Sequence, residues 1–149
     1  MITGYAYVEL WEISPDHHFL AYTVYVKDND FFTLHVKDLR SGCLHHKPKI
    51  DRVASLAWAK DGCSLLYTVT NSSKRPFRVF CRSLESNEPD TLLMEDVDDA
   101  CYVNIRNTKD YEFITINCSS NTSSQVYFLN ATSLGAGMHK LYGLLYLHP

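Results

Sequence analysis

The segment SPDHHFLAYTV, residues 14–24, is nearly repeated as AKDGCSLLYTV at residues 59–69 and more weakly as TKDYEFITINC at residues 108–118. In each copy an aspartate precedes a run rich in aromatic and β-branched residues. Aspartate side chains accept hydrogen bonds from nearby backbone N–H groups in turns, and such runs favour strands. Each copy therefore predicts a tight turn that leads into a strand.

The repeat extends on both sides of these segments. A shift of 45 residues aligns Tyr22–Val24 with Tyr67–Val69, and a shift of about 49 carries Asp61 to Asp110. A period in the forties with strand-like content is typical of β-propeller blades. Each unit contains four short strands. The first strands are VELWEI, VASLAW and YVNIRN, and the second strands are FLAYTVYV, SLLYTVT and FITINC. The third strands are FTLHVKDL, FRVFCRSL and SQVYFLNA, and TLLMED (91–96) is the clearest fourth strand.

The sequence thus predicts an all-β fold of about three four-stranded blades in an open arc, with blades at approximately 5–49, 50–98 and 99–133 within a partial propeller of residues 1–133. The second strands are apolar at nearly every position, whereas the third strands alternate. We expect neighbouring blades to cover both faces of the second strands. An antiparallel sandwich is the alternative, because it also uses short strands between turns.

Three blades are too few to close a propeller, which needs four to eight. The segment YGLLYL, residues 142–147, resembles another second strand but follows Asp110 too closely for a complete intervening unit. We therefore expect residues 134–149 to be the truncated start of a further blade. An open arc exposes apolar inter-blade surface and strand edges.

The composition excludes several classes of function. The net charge of −3 lacks the basic footprint of a nucleic-acid binder, and no apolar run is long enough to span a membrane. Five cysteines without a CxxC pair favour reduced thiols. Because the start of the sequence has no secretory signal pattern, we expect a cytoplasmic location, and we assign no metal and no cofactor.

Residues 14–42 and the segment AWAKDGCSLLYTVTNSSKRPFRVF (57–80) resemble the propeller of serine peptidases of the prolyl oligopeptidase family. The similarity is to the oligopeptidase B-like members of that family, closest to the plant-type protease 2 group. The segment NIRNTKDYEFITIN (104–117) extends it, and it covers most of residues 5–133.

The resemblance implies a seven-bladed propeller that caps an α/β-hydrolase domain with a Ser-Asp-His triad, admits only short peptides and serves cleavage after Lys or Arg. This sequence has no G-x-S-x-G motif, and GCSLL at 62–66 lacks the closing glycine. We therefore expect a non-catalytic, substrate-gating propeller fragment, inactive alone, with no catalytic residue. The implied partners are short basic peptides and the hydrolase domain of the same polypeptide, if that is longer. The alternatives are a stand-alone interaction module and a non-functional truncated product.

The acidic run EDVDD (95–99) is the candidate site, since the carboxylates of Glu95, Asp96, Asp98 and Asp99 would attract basic peptides by their field. A solvated loop is the alternative for this run. Three other groups are interpreted as structural: the turn histidines His17 and His18, the C-x-H-H string of Cys43, His45 and His46, and the loop of Lys74, Arg75 and Pro76. The large residues are assigned to core or inter-blade packing: Trp11, Trp58, Tyr22, Tyr67, Phe32 and Phe77.

Overall fold

Three antiparallel sheets make up the structure, a computed structural model that describes residues 6–96, 101–140 and 145–146. The first sheet contains, in order, β1 (Ala6–Ile13), β2 (Phe19–Val26), β3 (Phe32–Asp38) and β4 (Ile50–Asp51). The second contains β5 (Val53–Trp58), β6 (Ser64–Thr70), β7 (Pro76–Ser83) and β8 (Thr91–Glu95). The third contains β9 (Tyr102–Asn107), β10 (Phe113–Ser119), β11 (Ser123–Asn130) and β12 (Met138–Lys140). The predicted all-β fold of three blade-like sheets is confirmed.

The repeated turn has the same geometry in all three sheets. The Oδ1 atom of each aspartate accepts a hydrogen bond from the backbone N–H two residues on: Asp16 from His18 at 3.1 Å, Asp61 from Cys63 at 2.9 Å and Asp110 from Glu112 at 3.0 Å. The residue after each aspartate has a positive φ, which is 62° at His17, 76° at Gly62 and 59° at Tyr111. The aspartate thus stabilises a left-handed turn residue whose side chain differs between copies.

The sheets stack face to face, and each sheet interface has its own core. We call the face of a sheet that points to the preceding sheet its leading face and the opposite one its trailing face. The first core joins Phe19, Ala21, Leu34 and Val36 to Val53, Leu56, Trp58, Leu65, Tyr67 and Leu84. The second joins Ala57, Leu66 and Val79 to Val103, Ile105, Ile114, Ile116, Cys118 and Leu129. Burial of these side chains drives the stacking.

Among the described residues, only the middle sheet is covered on both faces. In β6 four consecutive residues, Leu65 to Thr68, are buried, whereas in β2 and β10 buried residues alternate with more exposed ones. The expectation that all second strands are covered on both faces is therefore met by β6 alone. The reason is that the first and third sheets each stack on a single described neighbour.

The leading face of the first sheet is uncovered. Val8, Trp11 and Leu39 are 53%, 63% and 41% exposed, whereas their equivalents 45 residues later, Val53, Leu56 and Leu84, are 2%, 6% and 5% exposed. Trp11 is thus not a core residue of this structure, which corrects the expectation. Trp58 and Tyr67 are in the core as expected, and Tyr22, Phe32 and Phe77 are half-buried.

The C-terminal segment differs from its expected role. Strand β12 pairs with β11 as the fourth strand of the third sheet, and β13 (Leu145–Tyr146) pairs with Ser123 and Ser124 at the start of β11. The described part of residues 134–149 thus extends the third sheet, after a single 3₁₀ turn at Leu134–Ala136, rather than beginning another. Likewise β4, at the predicted boundary between 49 and 50, belongs to the first sheet. Within the described residues no helix has the length and apolarity needed to span a membrane.

Candidate functional site: the groove along the inner strands

The first strands of the three sheets lie side by side, because β5 contacts β1 on one side and β9 on the other. We call β1, β5 and β9 the inner strands. They border a groove of about 480 Å³, whose lining includes Leu10, Glu12, Ser55, Asn104, Arg106 and Lys109. The inner strands of a propeller surround its central channel, so this groove is the candidate site for contact with a ligand.

The groove carries charges of both signs. Glu12, Arg106 and Lys109 are exposed on its walls, and partial burial raises the pKa of the Glu12 carboxyl above its ordinary value. The side chains of Asn104, Arg106 and Lys109 offer hydrogen-bond donors and acceptors to a polar ligand in this groove.

One amide side chain fixes the groove on the side of the third sheet. Asn107 Oδ1 accepts a hydrogen bond from the backbone N–H of Trp58 at 2.9 Å, and its Nδ2 donates to the Trp58 carbonyl at 2.7 Å. The indole N–H of Trp58 donates to the Glu12 carbonyl at 2.9 Å. Asn107 is the equivalent of Trp58 at the 49-residue shift, and the hydrogen bonds of these two residues connect all three inner strands.

Buried hydroxyl groups complete the frame. The hydroxyls of Ser55 and Thr68 are 2.7 Å apart, and Ser55 Oγ accepts the backbone N–H of Ile105 at 3.2 Å across the sheet interface. In the first sheet Thr23 Oγ1 accepts the backbone N–H of Leu10 at 3.1 Å. The Leu10 N–H lies within the register shift of β1, between Val8 and Trp11, so the Thr23 hydroxyl supplies an acceptor where the ladder is interrupted. Nothing in the sequence pattern identified these residues beforehand.

The predicted steering carboxylates lie elsewhere, at the end of β8. Asp96 accepts a hydrogen bond from Arg75 Nη1 at 2.6 Å and from the backbone N–H of Cys101 at 3.0 Å. Glu95 is 3.3 Å from Arg78 Nη2. Asp98 and Asp99 fall outside the described residues. Arginines therefore offset the charge of both described carboxylates, and substrate steering by the run stays a prediction.

The loop of Lys74, Arg75 and Pro76 forms structural contacts. Arg75 is buried, and Lys74 Nζ lies 2.8 Å from Asp30 Oδ2, which joins the β2–β3 and β6–β7 loops of adjacent sheets. Pro76 begins β7. The loop thus helps to hold neighbouring sheets together, in addition to being a hairpin tip.

The histidines also lie in structural positions. His18 Nδ1 is 3.3 Å from Asp16 in the first turn. His45 accepts the Lys47 backbone N–H on Nδ1 at 3.2 Å and contacts the Leu84 carbonyl through Nε2 at 3.0 Å. The ring centroids of His45 and His46 are 4.3 Å apart. The chain bends here instead of running as an extended strand.

The cysteines are free thiols in this structure. Burial raises the pKa of Cys63 to about 12 and the pKa values of Cys81 and Cys118 to about 11. Beside Cys63, the hydroxyl of Ser64 in the GCSLL string donates to Asp61 Oδ2 at 3.0 Å. Ser64 therefore stabilises the turn that contains Asp61.

Stacked four-stranded sheets whose first strands border a common groove define an arc of a β-propeller. The chain matches the N-terminal β-propeller domain of prolyl oligopeptidase over residues 3–142. It therefore belongs to that family, and the resemblance stated from the sequence is confirmed.

Similar proteins are several times longer than this chain. It is 29% identical over 132 residues to Protease 2 of Moraxella lacunata, covering 87% of this chain and 19% of that protein. It is 28% identical over 131 residues to dipeptidyl aminopeptidase BI of Pseudoxanthomonas mexicana, covering 84% and 18%. Oligopeptidase B from Leishmania major has the same fold, with a TM-score of 0.76 at 19% identity over 97% of this chain and 20% of that one. The chain spans about a fifth of the length of these relatives.

Proposed function

We propose that this chain is the part of a propeller that gates access to the catalytic site of a serine-type endopeptidase, which hydrolyses short peptides after Lys or Arg. The match to the family's propeller domain over residues 3–142 carries the proposal. The partners are then short basic peptides and an α/β-hydrolase domain of the same polypeptide.

The geometry of the groove supports a gating role. Asn107 and Trp58 tie the inner strands together through backbone hydrogen bonds, so the groove is bordered by well-supported strands. A narrow polar passage admits an extended peptide and excludes a folded protein, because only the former presents a single chain's width. Gating in this sense is exclusion by size, with no chemistry by the propeller.

The first experiment measures the size of the native polypeptide. An antibody raised against residues 71–90 is used on a fresh extract, and the same extract is labelled with a fluorophosphonate, which reacts with active serine hydrolases. We expect one band several times larger than the chain, which binds both reagents. A large band that the fluorophosphonate fails to label would overturn the peptidase assignment.

The preference for basic substrates is tested in that longer polypeptide. Arg75 and Arg78 offset Asp96 and Glu95, so steering rests on Asp98 and Asp99. We expect Asp98→Asn with Asp99→Asn to lower kcat/KM several-fold for an arginine substrate at low salt and to lose this effect at high salt. Glu88→Gln, which removes a carboxylate at an exposed loop position of the described chain, is the control. Equal kcat/KM values in the double variant and the control would exclude steering.

A stand-alone interaction module is the second candidate, and the uncovered leading face of the first sheet favours it. Val8, Trp11 and Leu39 are 53%, 63% and 41% exposed there, and contiguous apolar surface of this kind marks contact sites. This function predicts a band at the chain's own size that co-purifies with a defined partner. A band found only at the larger size contradicts it.

A further inference from the structure

A cavity of about 220 Å³ lies between the outer parts of the first two sheets, away from the inner-strand groove. Its polar lining consists of His35, His45, Lys47, Lys49 and Arg82, and its apolar lining includes Leu44 and Pro48. Basic side chains thus line this cavity without a carboxylate among them, although the chain as a whole carries a net charge of −3.

The positive charge of the cavity is only partly compensated. Arg82 Nε contacts both oxygens of Asp90, at 3.0 and 3.1 Å, which offsets one charge. Lys47 Nζ instead donates to two backbone carbonyls, those of Ser83 and Glu88. Within the described residues neither Lys47 nor Lys49 forms an ion pair with a carboxylate. Two positive charges therefore remain.

Two of the donors are held in place before any ligand arrives. Arg82 is 8% exposed, and its Nη1 donates to the Pro48 carbonyl at 2.6 Å; its Nη2 has no hydrogen-bond acceptor among the described residues. The Lys47 ammonium has three N–H donors, of which the two carbonyls use two. A guanidinium edge and an ammonium N–H are the groups that bind phosphate oxygens in proteins.

We propose that this cavity binds a phosphate group, either free or as the monoester of a small molecule. A phosphate with a charge near −2 matches the two uncompensated lysines. Its several oxygens match donors from β7, which carries Arg82, and from the connection between β3 and β4, which carries Lys47 and Lys49. The cavity is larger than phosphate itself, and Leu44 and Pro48 offer apolar contact to an organic substituent. The site is independent of the proposed peptidase role.

The test is calorimetric titration of the purified chain with inorganic phosphate and with phenyl phosphate at low ionic strength, with acetate as a third probe. We expect saturable binding of at least one phosphate compound and none of acetate. Lys47→Gln and Lys49→Gln are each expected to weaken binding about tenfold, whereas Lys27→Gln, an exposed lysine in the β2–β3 loop, leaves it unchanged.

The outcomes separate the two sources of the ligand. Tighter binding of phenyl phosphate assigns the site to a monoester, and equal or tighter binding of inorganic phosphate assigns it to the free ion. Because Lys47 also joins two sheets, the Lys49→Gln variant provides the measurement if Lys47→Gln fails to fold. The proposal is overturned if neither phosphate binds saturably, or if Lys49→Gln and Lys27→Gln bind equally well.

Discussion

At the scale of single residues, the repeated turn shows how one backbone geometry is achieved with different side chains. Three consecutive copies place His17, Gly62 and Tyr111 in the left-handed region. Only the glycine is adapted to it intrinsically. At Gly62 there is a second requirement, because an added Cβ would lie 2.5 Å from Asp16 Oδ2 in the neighbouring turn.

Gly62→Ala is therefore expected to lower the free energy of unfolding by about 1–3 kcal/mol, from the positive φ and the collision with Asp16. Urea denaturation measures the change. His17→Gly, at the equivalent exposed position, is the control, and we expect a change there of no more than about 1 kcal/mol. Equal effects at the two positions would show that the contact with Asp16 has no energetic role.

Thiol reactivity is a second property of single residues. Burial raises the pKa of Cys63 to about 12 and that of Cys81 to about 11, and the thiolate is the reactive form. We expect iodoacetamide at about pH 8 to modify the exposed Cys43 first, with Cys63, Cys81 and Cys118 slower by at least about tenfold. Peptide mass mapping over time measures the order. Rapid labelling of Cys118 in folded protein would contradict the described core.

At the scale of secondary-structure elements, side chains that bond to the backbone of another sheet hold the arc together. Asn107 is such a residue, and Asn107→Ala removes both hydrogen bonds to Trp58. We expect a loss of about 1–3 kcal/mol, since two backbone groups lose their partner. Asn130→Ala is the control, because within the described chain Asn130 Oδ1 accepts a single, local hydrogen bond, from the Thr132 N–H. Chemical denaturation of both variants measures the difference.

His45 makes the contact between the first two sheets dependent on pH. Its Nδ1 accepts the Lys47 N–H, so Nε2 carries the proton that is donated to Leu84, and burial lowers its pKa below 6.5. The unfolded chain therefore binds a proton more readily than the folded one. The contribution of His45 to stability is fully present above its ordinary pKa and declines as the pH falls below it.

We accordingly expect the free energy of unfolding to fall between about pH 7.5 and about pH 5.5, and to fall less in His45→Gln. His17→Gln, at an exposed turn position away from this contact, is expected to keep the wild-type dependence. Urea midpoints at the two pH values provide the measurement. An unaltered pH dependence in His45→Gln would refute the assigned role.

Much of the arrangement of elements was predictable, because Asp16, Asp61 and Asp110 mark each turn and the strand after it. The contacts between sheets were not. Asn107 forms hydrogen bonds with the backbone of Trp58. Because every residue carries the same backbone carbonyl, the residue type at the partner position does not indicate such a contact. The strand at Met138–Lys140 escaped prediction as well, since its pairing with β11 depends on tertiary position rather than on local pattern. The candidate groove likewise became evident only when three inner strands were seen together.

At the scale of the whole molecule, positions that are equivalent in the first and second sheets differ in whether a preceding sheet covers them. Trp11 is 63% exposed, whereas Leu56, its equivalent, is 6% exposed. We expect Leu56→Ala to cost about 2–5 kcal/mol and Trp11→Ala no more than about 0.5 kcal/mol, in the chain by itself. Thermal and urea denaturation of both variants provide the test.

The same pair distinguishes the chain alone from a longer polypeptide. Where another blade covers the leading face of the first sheet, Trp11→Ala is expected to cost about 3–5 kcal/mol, as for a buried tryptophan. A small effect in both settings would show that this face stays open to solvent. A large effect in the isolated chain would contradict its described exposure.

The stacking order also has a consequence for synthesis on the ribosome. Residues leave the exit tunnel from the N-terminus onward, so the trailing face of the second sheet, with Ala57, Leu66 and Val79, remains bare until the third sheet emerges. A nascent chain whose second sheet has left the tunnel while the third has not thus presents an uncovered apolar surface. We expect co-translational folding of this arc to be most sensitive to codon usage and to chaperone binding while that face is uncovered.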